Sequence, residues 1–260
     1  MKKMVVFVIL LLCFVCNIYA QTNEAVIIEQ AAQIIAVDPQ GNVYAVDDAT
    51  LYKYEPSGSL LYSYTNNMDG NISSIDVDNP LKVMLFYREA GCIVFLNDKL
   101  SPIGDKIYLF NKNLTTISLA TYSTKNNIIL YDEANTDLII LDFYFNEKER
   151  IHYNFNEFYP VILKDINEKK IYMQDPQHGI YLFDSFGTYD KNIAILSDYP
   201  VQISKDIIFY IKDNQLNSYN YFSLDADNPT TIPEGIRQAL VYQNKLILSN
   251  GKTISINNLK

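Results

Sequence analysis

The chain has 260 residues, 48% of them hydrophobic and 20% charged, with 21 Tyr, 13 Phe and no Trp; this composition lies well outside that of disordered chains. The formal charge is −9 and basic pairs such as Lys169-Lys170 are isolated, which excludes a nucleic-acid binder, since that needs Lys and Arg gathered along a groove, and disfavours an anionic lipid surface. With three Cys and two His in all, there is no zinc spacing and no CxxC or HExxH motif.

The N-terminus reads as a targeting signal. Lys2 and Lys3 form a positive region, Met4 to Cys16 an apolar one, and Asn17 to Ala20 a processing region, so residues 1–20 are expected to be a signal peptide cleaved before Gln21. A lipid anchor is disfavoured because Leu12 and Val15 precede Cys13 and Cys16 where a small residue is needed. The exported chain then keeps 19 basic against 30 acidic residues, a net charge of −11. The periplasm, or the periplasmic face of an outer membrane, is the expected location, with an extracellular one as alternative. Only Cys92 remains, in a strand apolar on both faces, and reads as a small buried hydrophobe.

Ala25 to Ile28 is an apolar strand that precedes any repeat. From Gln33 onward the chain alternates short strands and turns. Gln33 to Val37, Val43 to Val46, Thr50 to Tyr54 and Ser59 to Tyr64 read as four strands, broken by Pro39 and Gly41 and again by Pro56 and Gly58, which preset turn dihedrals. The second strand of each later unit is expected at Lys82 to Tyr87, Ile128 to Tyr131, Ile171 to Met173, Ile207 to Ile211 and Leu246 to Leu248. Their ends bring Asp47, Arg88, Asp132, Asp175, Asp213 and Asn250 into register, at intervals of 41, 44, 43, 38 and 37 residues. Such a period, with four strands per unit, predicts one domain over residues 21–260: an all-β, six-bladed β-propeller with four-stranded antiparallel blades. The last unit lacks a strand and Ala25 to Ile28 is spare, so the N-terminal strand is expected to complete blade six and close the ring.

The run IIAVDPQGNVYAVDD (Ile34 to Asp48) with LYKYEPSGSLL resembles a blade of the NHL and TolB-like propellers, whose repeats carry an Asp-Gly-Asn turn before a VYVAD-like strand. The resemblance covers blade one well and the other five loosely, and implies the superfamily without naming a member.

In a four-stranded blade, the turns between strands two and three emerge with the blade-to-blade crossings on one end of the ring. The candidate binding rim there is Asp48, Arg88, Glu89, Asp132, Glu133, Asp175, His178 and Asp213: solvated turn residues, a surface for a cationic patch of a partner, or carboxylates that hold a cation. Longer loops supply candidate partner-contact aromatics: Phe143 and Phe145, Phe158 and Tyr159, Tyr221 and Phe222. Most of the tyrosines are expected to pack between blades with their hydroxyls in solvent.

No GxSxG, P-loop or GxGxxG motif occurs. Asp76 to Pro80 and Asp225 to Pro229 share DxDNP but lack the glycine and glutamate of an EF-hand, and read as strand-terminating Asx-Pro turns. Six-bladed propellers related to gluconolactonases and paraoxonases hydrolyse lactones with a channel calcium. Their calcium ligand set finds no place here, since inner strands such as Ile203-Ser204 and Ala239 to Val241 are apolar where channel ligands are expected; Asp38, Asp76 and Asp165, at the ends of inner strands, are the candidates that remain. The reading adopted from the sequence is a non-catalytic, cofactor-free, monomeric propeller that binds another envelope protein; a calcium-dependent hydrolase and a small-ligand binder are the alternatives.

Overall fold

The structure is a computed structural model and describes residues 25–123, 125–166, 169–197 and 199–259; the expected signal peptide lies outside these residues. Six antiparallel sheets form the ring. Blade one is Ile34–Val37, Val43–Asp47, Thr50–Tyr54 and Leu60–Thr65; blade two Ser74–Asp76, Val83–Tyr87, Cys92–Leu96 and Ile107–Tyr108; blade three Ile117–Tyr122, Ile128–Asp132, Asp137–Leu141 and Glu147–His152. Blade four is Ile162–Ile166, Lys170–Asp175, Gly179–Asp184 and Tyr189–Ile193, and blade five Gln202–Ser204, Ile207–Lys212, Gln215–Asn220 and Asp225–Ala226, with Thr230–Thr231 as an extra pairing on the third strand. Blade six takes Gln238–Tyr242, Lys245–Ser249 and Ile254–Asn258 from the C-terminal end, and its fourth strand is Val26–Ile28, antiparallel to Ile254–Asn258.

The second and third strands read as apolar runs because both faces are buried. On Val83–Tyr87, Val83, Leu85 and Tyr87 point into the cluster shared with blade one, while Met84 and Phe86 point into the one shared with blade three. This is the two-residue strand period acting between two interfaces rather than between core and water. Six such clusters separate the six blades, and each fully buried aliphatic or aromatic in them contributes roughly 1.5–3 kcal/mol. Contrary to expectation, several tyrosines are buried to the hydroxyl: Tyr44, Tyr87, Tyr122 and Tyr131 are all at most 1% exposed. Tyr44 donates to Asp38 at 3.2 Å.

Gly41 and Gly58 adopt φ of 88° and 89°, the left-handed region their turns require. A Cβ on Gly58 would also stand 2.5 Å from Val26 Cγ1, so this turn of blade one abuts the closing strand.

Inner strands leave one backbone edge facing the channel, and side chains of other blades satisfy parts of it. Gln238 accepts from the Ile35 N–H at 2.7 Å, Gln202 exchanges two hydrogen bonds with the Val241 backbone, and Ser74 donates to the Ala120 carbonyl at 3.0 Å. The ring is thereby sealed from inside.

Candidate functional site

Three regions can carry function: the end with the expected rim, the opposite end, and the channel between them. At the rim end the acidic residues separate into two kinds. Asp132 and Asp175 are 4% and 1% exposed and are not presented to a partner, as the sequence reading had them. Asp132 accepts from Thr116 Oγ1 at 2.6 Å, Asn135 Nδ2 at 2.9 Å and the Ala134 and Asn135 N–H groups. Asp175 accepts from the N–H groups of Tyr159, Gln177 and His178 at 2.7, 2.8 and 3.0 Å. An Asx residue that opens a tight turn bends its carboxylate back onto the turn's free N–H groups. Burial pushes both acids up, but these hydrogen bonds outweigh it and leave each below the usual carboxylate range.

Asp48, Glu89 and Asp213 are exposed. Asp48 sits at φ 52° and shares two hydrogen bonds with Gln33, and Asp213 forms a left-handed two-residue turn with Asn214. Arg88 and Glu133 pair with each other across blades two and three, both carboxylate oxygens 2.7 Å from Nη2 and both side chains 52% exposed. His178 is half-buried with Nδ1 3.2 Å from Asp175. The rim is therefore largely self-satisfied.

The aromatic loops divide likewise. Phe158 is 5% exposed and packs edge-on against Tyr131 and beside Tyr181, ring centroids at 5.8 and 4.5 Å. Tyr221 is 3% exposed and its hydroxyl donates to the Lys205 carbonyl. Neither is the exposed contact expected, because the crossing after blade three and the fifth-blade turn fold inward to fill the interfaces. Phe145, at φ 62°, is half-buried against the blade two–three core. Tyr159, Phe222 and Phe143 remain 70%, 82% and 48% exposed.

The turns between strands three and four lie on the end opposite the rim. Blades three and four use the same device: Asp142 and Asp184 open three-residue turns and accept from the N–H two residues on, that of Tyr144 at 2.8 Å and of Phe186 at 2.9 Å. Blade five repeats it one residue longer, with Asn220 accepting from the Phe222 N–H at 2.9 Å. Holding the N–H of that residue throws its side chain outward. Tyr144, Phe186 and Phe222 are accordingly 76%, 66% and 82% exposed, with Leu224 at 69% beside them. Phe143 is pinned next to this arc by the Lys82 ammonium, 3.9 Å from its ring centroid and also over Phe95 and Tyr122; burial lowers that lysine to about 8. Blades one and two carry Ser57 and Lys99 at the corresponding position, so the arc spans three consecutive blades. Tyr144, Phe186 and Leu224 were missed from the sequence, although the spacing Asx-x-aromatic recurs in Asp142 to Tyr144, Asp184 to Phe186 and Asn220 to Phe222.

The channel is a cavity of about 290 Å³. The inner strands line it with aliphatic residues that include Ala36, Ile75, Leu119, Leu163, Ile203 and Leu240, and with the polar Ser74, Gln202 and Gln238. Lys164 and Asp78 also line it. Lys164 donates to the Ile75 carbonyl at 2.6 Å and lies 3.2 Å from Asp76. Asp76, 1% exposed, also accepts from Thr121 Oγ1 at 2.6 Å. Asp78 lines the channel on the turn after the inner strand of blade two, surrounded by protein yet exposed to solvent. Burial, and after it the charge of Asp76, raise its carboxyl to about 6.

The three candidate calcium ligands do not converge. Asp38 is fully buried and holds its own turn through the Gln40 and Asn42 N–H groups and Asn42 Nδ2, whereas Asp76 is committed to Lys164 and Thr121. Among the described residues no group of three or more His, Cys, Asp or Glu is placed to hold a metal ion, and no helix is long and apolar enough to cross a membrane.

The sequence matches no protein-family model and no curated protein. In fold, the chain is similar to the Pan2 WD40 domain of Neurospora crassa, with a TM-score of 0.63 at 12% identity over 89% of this chain and 92% of that one. It is also similar to a streptogramin B lyase, with a TM-score of 0.60 at 12% identity over 90% and 87%. A third likeness is to PorZ, a bacterial surface component of the type-IX secretion system of Porphyromonas gingivalis. Its TM-score is 0.53 at 11% identity over 91% of this chain and 38% of that one. Likeness at this identity establishes a β-propeller and nothing finer.

Proposed function

We propose that the protein is an exported, non-catalytic propeller of the NHL and TolB-like kind that docks another protein of the cell envelope. The observation that carries the reading is the arc of Tyr144, Phe186 and Phe222. Single exposed aromatics are ordinary on a soluble surface, but here the same outward-throwing turn recurs in three consecutive blades and sets an exposed aromatic on the same end of each. Rigid aromatic side chains held by hydrogen-bonded turns lose little entropy on binding, which suits them as anchors of a protein contact. The basic and apolar N-terminal segment supports export, and PorZ, a surface component of a secretion system, supports an envelope setting for this architecture.

The test is affinity purification of the tagged protein from its own cell envelope after mild cross-linking, beside the triple variant Tyr144→Ser, Phe186→Ser, Phe222→Ser. The expected result is one stoichiometric partner captured by the parent and lost in the variant, with the melting temperature of the variant unchanged within about 2 °C. A partner retained equally by both would move the contact to the rim end, and absence of any partner would overturn the scaffold reading.

A further inference from the structure

The outer strand of each blade leaves its far backbone edge unpaired on the circumference of the ring, a template that invites a further strand. Five blades close that edge off. In blade three the strand Glu147–His152 carries Glu147, Lys148, Glu149 and Arg150, and in blade four Tyr189–Ile193 carries Asp190 and Lys191. Blades two and six end in strands of two and three residues, and blade five in two pieces of two residues each. A 3₁₀ helix, Leu109–Lys112, follows directly on the outer strand of blade two. Charge and shortness are the means by which edges avoid pairing. Blade one has neither.

Leu60–Thr65 is six residues long, with the sequence LLYSYT, and has no charge, no proline and no glycine. It lies at the end of its sheet, paired on one side only, to Thr50–Tyr54. The register breaks once, between Lys53 and Tyr54, so Tyr62 to Thr65 remain regular. Leu60, Leu61 and Tyr62 are 55%, 40% and 37% exposed, and Ser63 and Thr65 are exposed as well. An open edge takes a strand, because its free N–H and C=O groups need a backbone opposite them. Uncharged side chains on both faces admit only a strand without charges, since a charge buried there would have no counter-ion. The exported chain carries 19 basic against 30 acidic residues, so two copies repel over most of their surfaces and can approach where charge is absent. The strand that meets all three conditions is Leu60–Thr65 itself. We propose that two copies of the chain pair through Leu60–Thr65 about a two-fold axis, joining their four-stranded first blades into one continuous antiparallel sheet. Centred on Ser63, the pairing sets Ser63 opposite its own copy and Tyr62 opposite Tyr64 of the other, an isologous contact. The exported chain is then a dimer rather than the monomer read from its sequence. The contact lies on the circumference and the aromatic arc on one end, and neither rests on the other.

The experiment is sedimentation velocity of the exported chain over a range of concentrations, on the parent, Ser63→Lys, Ser63→Glu, an equimolar mixture of these two, and Glu149→Gln. One strand edge is a small interface, so the parent is expected to dimerise in the micromolar range. A like charge facing its own copy across the axis should weaken the dimer of either Ser63 variant at least about tenfold. The mixture should recover the mass of a dimer, since opposite charges then meet, and this a loss of folding could not do. Glu149→Gln shifts the net charge by as much as Ser63→Lys, on the closed edge of blade three, and should leave dimerisation as in the parent. Ser63 is exposed, so in dilute solution its variants should melt within about 2 °C of the parent. A parent that stays monomeric, a dimer indifferent to Ser63→Lys, an equal loss in Glu149→Gln, or a mixture as monomeric as its components would each overturn the proposal. So would a monomeric parent whose captured envelope partner is lost in Ser63→Lys, which would give the edge to a strand of that partner. The triple variant of the aromatic arc should leave the dimer intact, so the two readings fail separately.

Discussion

Lys164 of blade four and Asp76 of blade two meet across the channel, Nζ 3.2 Å from Oδ2, and skip the blade between them. Blade three joins the contact through Thr121, which donates to the same oxygen at 2.6 Å. Three inner strands are thus tied at one carboxylate that is 1% exposed. Truncating one partner of a buried ion pair strands the other charge without a counter-ion. Lys164→Met is expected to lower stability by about 3 kcal/mol in denaturant titration, and Asp76→Asn placed on top should recover part of the loss. A single variant as stable as the parent would show that solvent, not Lys164, compensates Asp76.

The closing strand makes a contrast between neighbours. Ile28 is 5% exposed in the core shared by blades six and one, while Ile27 is 53% exposed. Ile28→Ala should cost about 2–5 kcal/mol and Ile27→Ala no more than roughly 0.5 kcal/mol. Deleting residues 21–30 should lower the melting temperature of the whole ring, because it opens blade six and bares the edge of Ile254–Asn258; unchanged melting would mean that closure contributes nothing.

Acid and neutral pH should act with opposite signs. In Asp69, Asp132 and Asp175 burial raises the carboxyl, but hydrogen bonds, from Lys106 and Asn66 in the first case, bring each below its ordinary value. Depressed in the folded state, these groups stabilise the protein above the unfolded carboxylate range near about pH 4. Their contribution is lost as pH falls through the folded values. Asp78 is raised to about 6, so its contribution is fully present below about pH 4 and is lost as pH rises through 6. Melting curves should therefore peak between these limits. Asp78→Asn should flatten the decline on the alkaline side and raise the melting temperature at pH 7 by roughly 2–4 °C, or about 1 kcal/mol after allowance for solvent screening. No change at pH 7 would mean that channel water solvates the carboxylate fully.

Cys92 is fully buried between blades one and two, and burial, with Asp69 adding to it, pushes its thiol up to about 11. The thiolate is the reactive form, so a chromogenic disulfide reagent at pH 8 should label the native protein only at the rate of opening, and at once in denaturant. Fast labelling without denaturant would show that this interface breathes.

The second strands illustrate what local chemistry conveys. The run Val83 to Tyr87 reads as a strand apolar on both faces, and the turns at Gly41 and Gly58 read as left-handed, because a two-residue period and a missing Cβ act within a few residues of chain. The spare strand at Ala25 to Ile28 was legible by the same kind of reasoning, as a missing partner in the last repeat. From these the sequence by itself determined strands, turns, the number of blades and how the ring closes.

Exposure was decided by tertiary structure alone. Phe158 and Tyr159 are adjacent and chemically alike, yet one fills the interface of blades three and four and the other faces solvent. Asp132 bends into its loop while Asp48 does not bury, since only the first finds a threonine and an asparagine turned toward it. The aromatic arc forms because three turns some 40 residues apart in sequence are brought to one end of the ring, and the buried charge of Asp76 is met only because the ring brings Lys164 of blade four and Thr121 of blade three to it. Such pairings depend on which distant groups the closed ring places within a few ångströms, a relation that no window of neighbouring residues contains.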